Sequence, residues 1–126
     1  MSEHAIQNAI RNALAGECLA FRANVGSAWA GQVAFKAHRR GLVMLDLEPG
    51  DIVLRKARPF STGLPKGFSD LFGLVPGGRF FALEVKAERG RTHGNQDNFL
   101  AAVERNGGIA GVVRSPDDAR RILGLS

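Results

Sequence analysis

Cysteine is almost missing from this chain. Cys18 stands alone among 126 residues, which excludes an internal disulfide framework and a Cys-based zinc cluster. His4, His38 and His93 have no metal-ligand spacing. No apolar run approaches the length of a membrane span. The opening residues, Met1-Ser2-Glu3-His4-Ala5, lack the basic-then-apolar layout of a secretory signal, so a cytoplasmic chain is expected. Repeats, low-complexity tracts and long linkers are also missing. The length therefore suits one domain over residues 1–126, with a single core. Acidic residues are in the minority: 17 Lys+Arg face 12 Asp+Glu, a formal charge of +5, and the sequence pI is about 10.3. A polyanionic partner is the first expectation from that balance. Hydrophobic residues at 44% and charged residues at 23% are ordinary globular values and argue against global disorder.

The apolar spacing predicts a helix over 2–15, with Ile6, Ile10, Ala13 and Leu14 on one side, Ser2 as N-cap and Gly16 as the stop. Leu19, Phe21, Ala23 and Val25 alternate with Arg22 and Asn24 as in a strand. Val33 and Phe35 do the same with Gln32 and Lys36. Residues 42–47 and 52–55 read as two short strands around the turn Glu48-Pro49-Gly50-Asp51. A Pro-, Gly- and base-rich loop is expected over 56–69. Residues 71–75 and 79–87, joined by Pro76-Gly77-Gly78, read as a hairpin. A helix over 95–106 follows, with either Thr92 or His93 placed to cap it, and then a buried strand over 109–113. Ser115-Pro116-Asp117-Asp118 opens a last helix, with Ala119, Ile122 and Leu123 facing inward. The order predicts an α/β fold, a mixed sheet flanked by helices.

Chemistry concentrates in two stretches, Gly67-Phe68-Ser69-Asp70-Leu71 and Phe80-Phe81-Ala82-Leu83-Glu84-Val85-Lys86-Ala87. In a strand, Phe81, Leu83, Val85 and Ala87 face the core while Glu84 and Lys86 share the other face. Asp70 begins the partner strand, so the two carboxylates can converge. Carboxylates aimed at one point repel unless a cation lies between them. Oxygen donors suit Mg²⁺ or Mn²⁺, which polarise a phosphoryl oxygen, and an adjacent lysine can position water and stabilise developing charge. These parts fit metal-assisted phosphodiester hydrolysis. The plain alternative is a solvated strand face with a weak Glu84–Lys86 ion pair.

Asp70, thirteen further residues and then Glu84-Val85-Lys86 resemble the PD-(D/E)XK nuclease core. With Gly90-Arg91, Gln96 and the tail from Gly107 to Ser115, the chain is similar to the VRR-NUC (virus-type replication-repair nuclease) domain, especially its short stand-alone phage members. Arg22-Ala23-Asn24-Val25-Gly26 and Glu3 also resemble that family's early strand and first helix. The resemblance implies a restriction-endonuclease-like core and divalent-metal-dependent cleavage of DNA, in a phage or bacterial host cytoplasm. It implies metal ligation by Asp70, Glu84 and the Val85 backbone carbonyl, Lys86 as the catalytic lysine, Gln96 as a supporting residue, and Glu3 as an accessory acid and further metal ligand. Homodimers acting on branched DNA such as four-way junctions are implied as well. The residue before the first acid, often Pro in the family, is Ser69 here, which bears on how the strand begins more than on the chemistry.

Each accessory residue also has a plain reading. Glu3 suits the first turn of any helix through the dipole, and Gln96 is a good helix former. Lys36, His38, Arg39 and Arg40 form one basic cluster, Arg55, Lys56, Arg58 and Lys66 a second, and Lys86, Arg89 and Arg91 a third. Any one of them can be a solvated face; three around an acidic site suit approaching phosphates. Lys66, Arg89 and Arg91 are the expected DNA contacts. Phe60 and Phe68 are expected to be the more exposed phenylalanines, and Trp29 is expected to close the core or a dimer interface. The rival readings are a catalytically silent nucleic-acid-binding module and a nuclease of the same fold acting on RNA.

Overall fold

Phe80–Val85 (β3) is the most buried strand and the centre of the fold. In this computed structural model, which describes residues 1–23, 31–58 and 62–125, five of its six residues are buried. On one side it pairs antiparallel with Leu71–Leu74 (β2), Leu71 opposite Leu83 and Leu74 opposite Phe80. On the other it pairs parallel with Ile109–Val113 (β4), Phe81 opposite Ile109 and Val85 opposite Val113. Leu19–Arg22 (β1) adds to β2 antiparallel, giving the order β1-β2-β3-β4. The hairpin between β2 and β3 turns where expected. Gly77 and Gly78 take φ of +98° and +89°, a region open to glycine at little cost, and Val75 N–H donates to Arg79 O at 3.0 Å.

The alternation of β3 splits the core in two. Phe81, Leu83 and Val85 face Glu3–Leu14 (α1) and Pro116–Ile122 (α3), packing with Ile6, Ile10, Leu14, Leu71, Val113, Ala119 and Leu123. Ala82 faces the other way, onto Leu100 and Val103 of Gly94–Arg105 (α2). The result is a mixed sheet with helices on both faces, the α/β layering expected and consistent with a restriction-endonuclease-like core. Ser2 caps α1 by accepting the Ala5 N–H at 3.1 Å. Ser115 caps α3 by accepting the Asp118 N–H at 3.1 Å. Arg120 of α3 ties the end of α1, pairing with Glu17 and donating to Ala13 O at 3.3 Å.

The structure departs from expectation at four places. Residues 33–36, 42–47 and 52–55 form no strands: 31–58 is irregular and exposed throughout. Only the turn survives, with Asp51 N–H donating to Glu48 O and Glu48 N–H to Asp51 Oδ2. Alternation supplies a face, but a strand also needs a neighbour to pair with, and none of the described strands takes these segments. In β1, Leu19 and Phe21 are largely exposed while Ala20 packs on the core, because β1 is an edge of the described sheet. Phe68 is half-buried, its ring 4.6 Å from Phe99 and 5.3 Å from Phe72. The edge strand β4 is buried fully only at Val113. The expectations for Asn24, Val25, Gly26, Trp29 and Phe60 fall outside the described residues.

Candidate active site

The β2–β3 register carries Asp70 to Glu84: with Leu71 opposite Leu83, the next rung outward sets the two acids across from one another. Ser69 starts this rung wholly buried, its hydroxyl donating to Leu71 O at 3.0 Å. Asp70 is held by both neighbouring strands. Its carbonyl accepts the Ala23 N–H at 2.9 Å, and its Oδ2 accepts the Val85 N–H at 2.8 Å. The carbonyl and N–H of one strand residue point to the same side, so the Val85 carbonyl is turned toward the Asp70 edge of β3.

Glu84 does not lie on a solvated face; it is 2% exposed, beneath the start of α2. Gln96 Nε2 donates to Glu84 Oε1 at 2.9 Å. Gln96 Oε1 accepts the His93 N–H at 3.2 Å, which fixes the amide end that meets the carboxylate. His93 is thus the N-cap residue of α2, and Thr92 donates its hydroxyl to Asp97 Oδ1 at 2.5 Å. Lys86 Nζ lies 3.9 Å from Glu84 Oε1 and 3.9 Å from Glu3 Oε1, its side chain 12% exposed. Glu3 therefore reaches the cluster from α1 through the lysine.

The remaining Glu84 oxygen, Oε2, is buried with no hydrogen-bond partner. Burial is the chief cause that pushes the Glu84 carboxyl from 4.5 up to about 8. The neighbouring Asp70 carboxylate raises it further, Lys86 pulls it down, and Glu3 adds a smaller rise. A buried carboxylate with an orphaned oxygen beside a second carboxylate is short of positive charge. Among the described residues no three His, Cys, Asp or Glu side chains group to hold a metal. The available donors are two carboxylates and the Val85 carbonyl. An all-oxygen set with so few protein ligands suits a hard cation that keeps several waters, so these residues fit Mg²⁺ or Mn²⁺.

Glu3, Asp70, Glu84, Lys86 and Gln96 are thus gathered in one place. Lys66, Arg89 and Arg91 are exposed on loops that border it. The loop carrying Lys66 is set against α2: a Cβ on Gly67 would lie 2.2 Å from Asn95 O, and Gly67 has φ +83°. The loop carrying Arg89 is set against Lys86, since a Cβ on Gly90 would lie 3.2 Å from Lys86 Cβ. The clusters Lys36–Arg40 and Arg55–Arg58 sit on the exposed 31–58 stretch. Sequence reasoning gave no role to Gly67, Gly90 or Arg114. The signal for the glycines was their place beside Phe68 and Arg89 in short loops, where a bare backbone marks close approach.

A mixed α/β/α core with acids on adjoining strands and a lysine beyond the second defines the class of restriction-endonuclease-like nucleases. The model of the VRR-NUC domain matches residues 49–117, more than half of the chain, and the chain belongs to that family. It is a nuclease domain, broadly a hydrolase acting on DNA, and nucleases of the family are generally dependent on a divalent metal. The match holds Asp70, Glu84, Lys86 and Gln96; Glu3 lies outside it. No curated protein matches the chain. No helix among the described residues is long and apolar enough to cross a membrane.

Proposed function

We propose that residues 1–126 work as a single divalent-metal-dependent DNA endonuclease domain, selective for branched structure and active as a homodimer. The observation that carries the catalytic reading is the buried Glu84 carboxylate, one oxygen orphaned, beside Asp70. On this reading Asp70, Glu84 and the Val85 carbonyl hold Mg²⁺ or Mn²⁺, with Glu3 an accessory acid. The bound ion supplies Lewis-acid charge stabilisation at the scissile phosphate.

The protein's own groups do the rest. The Val85 N–H and the Gln96 amide each tether one carboxylate oxygen, so the acids are oriented before substrate arrives. Lys86, between Glu84 and Glu3, donates to the attacking water and to the phosphate oxygen on which charge develops. Lys66, Arg89 and Arg91 contact flanking phosphates. Contacts of that kind read backbone and shape more than sequence, which suits a branched substrate.

The homodimer is supported by the 31–58 stretch. Leu42 and Met44 are 98% exposed, and Val33, Phe35, Ile52 and Val53 are each more than half exposed. Apolar surface on that scale marks an interaction site, and a second copy with the same stretch gives a self-complementary two-fold contact. Two sites related by that axis suit paired cuts in a four-way junction.

The test is cleavage of linear duplex, flap, four-way junction and RNA substrates with Mg²⁺, with Mn²⁺ and with chelator. Metal-dependent cutting that favours the junction is expected. Asp70→Ala and Glu84→Ala are expected to abolish it while salt-sensitive DNA binding persists, and Lys86→Ala to slow it with metal binding intact. Binding that survives chelation with no cutting under any metal would leave a silent binding module instead. Cutting confined to RNA would replace the substrate. A monomer by sedimentation, with and without DNA, would remove the dimer.

A further inference from the structure

Lys86 is the first residue beyond β3, yet its ammonium must stay between Glu84 and Glu3. A lysine side chain turns about four bonds, so something has to hold its stem. One strand bond continues past β3, the Lys86 N–H donating to Val113 O at 3.1 Å. The chain then closes a turn in which the Gly90 N–H donates to Ala87 O at 2.9 Å. That turn lays Gly90 along the lysine: a Cβ there would come within 3.2 Å of Lys86 Cβ and 3.3 Å of Lys86 Cδ. A Cβ at that range is tighter than nine in ten real ones, so a side chain here would push the lysine stem aside by a few tenths of an ångström.

The turn is in turn gripped by Arg114. Its Nη1 donates to Ala87 O at 2.5 Å and to Glu88 O at 3.3 Å. Arg114 is itself set firmly. It follows Val113, the last residue of β4, and its N–H donates to Asp118 Oδ2 at 3.0 Å. The Asp118 N–H reaches back to Ser115 Oγ. Asp118 lies below its ordinary carboxyl pKa, chiefly through the bond from the Arg114 N–H. The guanidinium therefore starts from the capped end of α3 and spans to the two carbonyls just after Lys86.

We propose that Arg114 is a positioning residue for Lys86: by clamping the 87–90 turn onto the lysine stem, it holds the ammonium in the active site. This rests on the reading of Lys86 as the catalytic lysine. Arg114 touches neither carboxylate, and its effect travels through packing against Gly90.

The test reads Lys86 directly. Metal-free full-length protein is labelled by reductive methylation, and each lysine is followed by mass spectrometry, with exposed Lys36 and Lys66 as internal references. Arg114→Ala is expected to speed Lys86 labelling at least fivefold relative to those references, and Arg114→Lys, which keeps one donor, to fall between. Gly90→Ala pushes on the same stem from the other side with the Arg114 contacts intact. It is expected to shift Lys86 labelling in the same direction, and it keeps the test alive if Arg114→Ala fails to fold. In cleavage, Arg114→Ala and Gly90→Ala are expected to lower kcat about tenfold with KM within twofold. Unchanged Lys86 labelling in folded Arg114→Ala overturns the proposal. So does a rise shared equally by all lysines, which means general loosening, or a loss confined to KM, which makes Arg114 a phosphate contact. Lys86→Ala separates the two levels: if it still cuts, the catalytic reading of Lys86 fails while the labelling result still decides the clamp.

Discussion

Replacing Glu84 by Gln keeps the size of the side chain and removes its charge, so it isolates the cost of that buried carboxylate. In the unfolded chain the group titrates near 4.5, and in the fold it is pushed up to about 8. Between those values the folded state binds the proton that the unfolded state has lost. The stabilising contribution is therefore whole below 4.5 and disappears as pH rises through 8, with a slope approaching 1.4 kcal/mol per pH unit, roughly the value of one proton per unit. Without metal, wild-type protein should lose a few kcal/mol across that window relative to Glu84→Gln, and the two curves should run parallel above it. Denaturant unfolding followed by far-ultraviolet circular dichroism, in chelator at fixed protein concentration from pH 5 to 9, measures this. Manganese at pH 8 should return about 2.7 kcal/mol to the wild type at a hundred times its dissociation constant, and nothing comparable to Glu84→Gln. Parallel pH profiles for the two proteins throughout, or equal stabilisation by manganese, would refute the account of a buried acid pair short of a cation.

Gly67→Ala should destabilise by about 2 kcal/mol or more, combining left-handed strain with a clash on Asn95 O; thermal melts check it, and a neutral result would mean the loop is not seated on α2. Gln96→Ala should weaken manganese binding about 10- to 100-fold, the usual effect of removing a residue that orients a metal ligand; titration calorimetry reads it, and unchanged affinity would free Glu84 from its tether. Leu42→Glu combined with Met44→Glu should turn the dimer into a folded monomer by sedimentation with little change in the circular dichroism of the core. A dimer that persists would move the interface off the 31–58 stretch.

The acid pair could be read from sequence because everything that sets it is local and covalent. Phe80–Val85 is an apolar run of strand length broken only by Glu84, Pro76-Gly77-Gly78 turns the chain, and the hairpin register then places Asp70 across from Glu84 without help from distant parts. Capping signals worked for the same reason: Ser2 and Ser115 act within three residues of themselves. What alternation along β3 could not say is how deep the second face lies. Glu84 and Lys86 read as one exposed edge, and only the return of α2 over the sheet buries Glu84 and brings in Gln96. The same gap explains 31–58. Its alternation at Val33 and Phe35 and its apolar run over 42–47 are genuine, but whether such a run becomes a strand depends on a neighbour offering free N–H and C=O groups. The described strands give it none, so its side chains stand in water in one copy of the chain. The two errors have one physical source. Periodicity encodes which atoms should leave water, while the partner that removes them is fixed by tertiary or quaternary packing. On the proposed function, the buried Glu84 beside Asp70 and the bare 31–58 stretch are both places where one copy of the protein alone leaves that requirement unmet, the first for want of a cation and the second for want of a surface.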